Sequence, residues 1–114
     1  MRIGTIALLA SCAVACGSGF PPPNDEWAAA QADVGRAEAG GAPGVPDAKL
    51  HLQLAQEDLA KSKQLIDSDN KRAASLIALA RVEAQLALSL AKQQTAQDSA
   101  QKAEADLQKA KGGQ

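Results

Sequence analysis

Aromatic residues are nearly missing from this chain of 114 residues, which has one Phe, one Trp and no Tyr. Its 46% hydrophobic content is therefore mostly Ala with some Leu. Ala buries little area, so a rounded core of ordinary depth is excluded. Small side chains suit helices that pack closely along their lengths instead. Strand-forming residues are scarce and never alternate with polar ones, which argues against a sheet. An excess of either charge is also missing, with 12 basic and 13 acidic residues and a net charge of −1. With no basic cluster and one indole for stacking, nucleic acid is not an expected partner.

Histidine and cysteine are equally sparse. The single His51 sits in a Leu-rich stretch and has no cysteine near it in sequence, so no metal centre is expected. Asp67-Ser68-Asp69-Asn70 lacks the glycine and closing glutamate of a calcium loop and reads as a capping turn. Glu57-Asp58 reads as a solvated helix face. Ser62, Ser75, Ser89 and Ser99 have no histidine partner implied, and no Gly-rich phosphate loop occurs. The expectation is a protein without catalysis, cofactor or small-molecule substrate.

What the chain does have begins with Met1-Arg2, followed by the uncharged run Ile3 to Ala15. A membrane-spanning helix needs roughly 20 apolar residues, so this run is too short to span. A charged start, a short apolar middle and a small-residue end fit a secretory signal peptide over 1–15. The stretch resembles a bacterial lipoprotein signal, in which small residues precede a cysteine that receives lipid. Two registers compete. Leu9-Ala10-Ser11 before Cys12 has the better letters but leaves a short apolar core. Ala13-Val14-Ala15 before Cys16 has the more usual length and a Gly-Ser-Gly tether after it. Cys16 is favoured, with Cys12 the alternative. A third reading takes Ala13-Val14-Ala15 as an ordinary A-x-A cleavage site, which would release a soluble protein with an exposed thiol. Lipid at Cys16 makes the membrane a partner. Gly17 and Ser18 then point to the outer membrane facing the periplasm, if the enterobacterial sorting rule applies.

Residues 16–23 read as a tether, flexible and then stiffened by Pro21-Pro22-Pro23. An Ala-rich helical domain over 24–111 and a short tail over 112–114 complete the expected organisation. The first helix, about 25–39, is capped by Asn24 and carries Trp27, Ala30, Val34 and Ala37 on one face; Gly40-Gly41 ends it. Pro46 and Asp47 open a second helix, about 47–66, whose Ala48, Leu52, Ala55, Leu59, Ser62 and Ile66 follow heptad spacing. Leu50, Leu54 and Leu65 widen that stripe. A short polar turn implies a third helix, about 71–109, packed antiparallel against the second. It would be near 58 Å long at about 1.5 Å per residue.

Leu79, Val82, Leu86, Ser89, Gln93, Ala96, Ala100, Ala103, Leu107 and Ala110 keep strict three-four spacing on this third helix. The residues expected to serve packing or interaction are Trp27, Val34, Leu52, Leu59, Ile66, Leu79, Val82 and Leu86. The second helix is too short to cover the third beyond Gln93. For that remainder the first helix is the expected partner, with another protein or self-association through 71–109, or a frayed helix in water, as the alternatives. The fold expected is all-α, an elongated antiparallel helical hairpin or coiled coil with a short extra N-terminal helix.

Ala37-Glu38-Ala39-Gly40-Gly41-Ala42-Pro43, Pro46-Asp47-Ala48, Ala55, Leu59 and the run Lys71 to Ala80, with Ala84, Ala87 and Ala91, resemble a known family. It is the Ala-rich helical-hairpin bacterial lipoprotein domain of unknown function, often found ahead of OmpA-like domains; the likeness covers about Trp27 to Gln94. The resemblance implies a lipid-anchored envelope protein of structural or interaction type, with a soluble periplasmic holdase or binding protein as the alternative. With no OmpA-like segment after Gln114, and a terminus unlike that of the major coiled-coil outer-membrane lipoprotein, neither route of attachment to peptidoglycan is expected.

Overall fold

A computed structural model describes residues 19–113. The signal-peptide stretch, with Cys12 and Cys16, lies outside the described residues. Three α-helices follow in order: α1, Asn24–Ala39; α2, Pro46–Leu65; and α3, Asn70–Gly112. Among the described residues there is no strand. The shape is elongated, since α3 alone runs about 64 Å at 1.5 Å per residue.

Local chemistry accounts for where each helix begins and ends. Pro23, not Asn24, occupies the N-cap of α1, and no side chain caps it; Asp25 and Glu26 in the first turn favour the start. Gly41 adopts φ 92°, a left-handed conformation open to glycine, and a single 3₁₀ turn over Ala42–Gly44 leads to Pro46 at the start of α2. α2 stops one residue short of Ile66, whose ψ of 133° is extended. Asp67 then turns left-handed at φ 73°, and the N–H groups of Ser68 and Asp69 both return to the Leu65 carbonyl. Asp69 caps α3 by accepting from the Arg72 N–H at 3.0 Å.

The core lies in two clusters. Leu59, Ile77, Ala80 and Ala30 meet near the turn, whereas Leu52, Ala48, Ala87, Ala91 and Ala37 meet farther along. Residue numbers rise along α3 as they fall along α2, so these helices run side by side in opposite directions. α1 lies against both, and Val34 packs on both clusters.

Two expectations need correction. The inward face of α3 is Ala73, Ile77, Ala80, Ala84, Ala87 and Ala91, while Leu79, Val82 and Leu86 are exposed. Both sets have three-four spacing. The small set faces inward because α3 receives two helices at once, and Ala lets both backbones approach. Gly40 marks how close they come: a Cβ there would sit 2.3 Å from Cδ1 of Leu88. Second, α1 does not cover the far half of α3. Its buried residues pack no farther along α3 than Ala91, and residues 92–113 are exposed throughout.

Candidate interaction surface

Several polar contacts tie the base of the rod together. Asp33, 3% exposed, is the one buried carboxylate of α1. It pairs with Arg36 one turn on, and accepts from Nε of Arg81 on α3 at 2.8 Å. On α2, Nδ1 of His51 lies 2.5 Å from a Glu83 carboxylate oxygen of α3. Trp27, half-buried, donates from Nε1 to the Leu59 carbonyl at 3.2 Å and carries the Lys63 ammonium 4.7 Å above its ring. Beside it an open groove of about 740 Å³ runs between α1 and α2, lined by Gln31, Gly35, Gln56 and Ala60 among others. Among the described residues every buried side-chain N or O atom has a partner. None of them forms a group of three or more His, Cys, Asp or Glu able to hold a metal ion. The buried hydrogen-bonding groups of the base thus engage one another.

Of the residues expected to pack, the structure brings Leu52, Leu59, Val34 and Trp27 into the two clusters. Ile66 is half-buried and lines a small recess beside Trp27 and Lys63. Leu79, Val82 and Leu86 stand apart, at 53%, 62% and 40% exposure. Leu50 and Leu54 of α2 are exposed as well. The His51–Glu83 pair relates the two sets: Leu54 is nearly one turn beyond His51, and Leu79 about one turn before Glu83. In helices of opposite direction these two leucines stand level on the same side.

Asp33 and Arg81 went unnoticed in the sequence, although a signal was there. Asp33 sits between Ala30 and Ala37 on the face that α1 buries, and a carboxylate there requires a cation from another helix.

α3 is also the one described helix long and apolar enough to cross a membrane by length and composition, with mean hydropathy 1.4 over its best window. Only 28% of that window is buried within the chain. Its Ala face is occupied by α1 and α2, and Arg81 and Glu83 within the apolar stretch 73–91 are held in ion pairs with those helices. A lipid-buried helix would have to carry both charges at high cost. The apolar excess is better explained by a second face, Leu79 to Leu86, that nothing in the chain covers.

These features define an all-helical, elongated bundle that buries one face of its longest helix and leaves the opposite face and the far half open. Residues 25–104 match the family described as Domain of unknown function (DUF4398), and the chain belongs to that family. Comparison with curated proteins and with solved structures gives no match.

Proposed function

We propose that this chain is a lipid-anchored lipoprotein of the cell envelope, a helical hairpin that serves as a spacer and protein-interaction module. Lipid at Cys16, or in the other register Cys12, holds it to the outer membrane facing the periplasm. The observation that carries this reading is the open face of α3. Exposed Leu79, Val82 and Leu86 continue in line into a half-helix that is exposed throughout. Such a face is what a partner protein covers. The tether enters at the opposite end, where the Asn70 side-chain amide donates to the Phe20 carbonyl at 2.8 Å. Phe20 and the free tip therefore lie at opposite ends of α3, which suits a module that reaches outward.

Intact mass of the protein from the membrane fraction of its host tests the anchor. The expected mass starts at Cys16 and carries acyl chains. An unprocessed chain in the cytoplasm would overturn the reading.

Exposure of Leu50 and Leu54 favours a second reading, a soluble periplasmic holdase or binding protein that grips apolar segments. It requires an unmodified mass starting at Cys16 and suppression of the aggregation of an unfolded client. A lipidated protein without such activity rules it out.

A further inference from the structure

We infer that the open face of α3 is the seam of a parallel, in-register dimer of this chain. The inference deepens the reading above by naming the partner of that surface. Leu79, Val82, Leu86, Ser89, Gln93, Ala96, Ala100, Ala103, Leu107 and Ala110 step three, four, three, four without a break, and none carries a charge. A strict average of 3.5 keeps one stripe facing a partner helix only if the two supercoil. The stripe lies on α3 throughout, and its exposed leucines and valine show that no helix of this chain occupies it.

Length and area fit a second copy of α3. The stripe extends about 48 Å at 1.5 Å per residue, and α3 is the one described helix long enough to cover it. A strip of that length and one helix diameter gives a footprint of about 500 Å² before side-chain relief is counted. That approaches the roughly 800 Å² per partner of a stable interface. Residues 92–112 supply a further reason, because helices draw most of their stability from packing an apolar face, and no residue of this segment is buried within the chain.

Flanking charges select the direction. In a parallel register Asp106 of one copy falls beside Lys111 of the other, twice by symmetry, and no like charges meet across the seam. The antiparallel register makes no such pair and brings Glu83 against Glu104 twice. Gln93 meets its own copy in a polar layer, which fixes alignment better than Ala would. Parallel copies also bring both Phe20–Asn70 contacts, and so both tethers, to one end. Two lipids can then enter one bilayer.

The test uses the full chain with a single cysteine introduced at an exposed seam position, Ser89→Cys in one variant and Ala100→Cys in another, treated with a short bismaleimide. Wild-type protein is the control for Cys12 and Cys16. The expected result is that each variant cross-links to itself, and that a mixture of the two shows no preference for joining unlike variants. Preferred joining of unlike variants would overturn the parallel register, and no product above the control would overturn the dimer.

Sedimentation of Val82→Glu, at the most exposed seam position, guards against trivial outcomes. It should weaken association at least about tenfold while α1, α2 and the base of α3 stay folded, because an apolar contact is lost and two carboxylates share a layer. Association as tight as wild type would overturn the seam. Failure here remains distinct from failure of the anchor. Lipidated protein that does not cross-link refutes the dimer alone, and unprocessed protein that does cross-link refutes the anchor alone.

Discussion

Asp33 is the residue on which the attachment of α1 depends most. Its carboxylate is out of water and held by Arg36 and Arg81, so Asp33→Ala leaves two guanidinium groups without their partner. Both arginines keep access to solvent, which moderates the penalty to about 2–3 kcal/mol. A lower urea midpoint with an unchanged slope would register it. The opposite sign is expected at Asp67, which sits at φ 73° in the turn before α3. Asp67→Gly should gain about 0.5–1 kcal/mol, since the left-handed strain is removed. The hydrogen bond from its backbone N–H to the Asn70 side chain is retained.

At the scale of the helices, the unexpected feature is which stripe of α3 faces inward. The breakers were legible, though the cap at Asn24 was not: Pro46, the pair Gly40-Gly41 and the Asp-rich turn divide the chain into three helices at Asn24–Ala39, Pro46–Leu65 and Asn70–Gly112. Their periodicity was legible too. Period alone could not choose between the stripe of Ala73 to Ala91 and that of Leu79 to Ala110, because both step three and four. Large apolar residues ordinarily go inside, and that preference pointed to Leu79, Val82 and Leu86. It failed because close approach of two helices to one leaves no room for leucine along most of the contact.

Paired substitutions separate the two faces. In dilute protein, Ala84→Leu should cost about 1–3 kcal/mol through overpacking. Leu79→Ala should stay within about 0.5 kcal/mol, as at other exposed sites. Thermal unfolding of the two variants side by side checks the order. The candidate site was legible to the same degree. Its residues were named in the sequence for packing or interaction without a choice between the two, because exposure depends on what α1 and α2 cover.

For the whole molecule, the division at Ala91 sets how stability is distributed. Amides in 73–91 are held by three helices, while those in 92–112 depend on the helix alone unless a second chain lies against them. Hydrogen exchange should therefore be slow in the first segment at every concentration. In the second it should slow as protein concentration rises. Exchange of 92–112 that ignores concentration would contradict pairing through that segment.

That same boundary governs how the rod can change length. Residues 92–113 are exposed, and Gln93, Gln94 and Gln97 line a recess with Val45 and Asp47, so insertions and deletions past Gln97 leave the bundle intact. The stripe imposes a different arithmetic. Removing or adding seven residues keeps every seam position in phase and alters reach by about 10.5 Å, whereas a change of five swings the tip by roughly 140° and turns its Ala stripe away from the partner. With α3 paired through that stripe, the reach of the rod changes in steps that preserve phase, one heptad being the shortest.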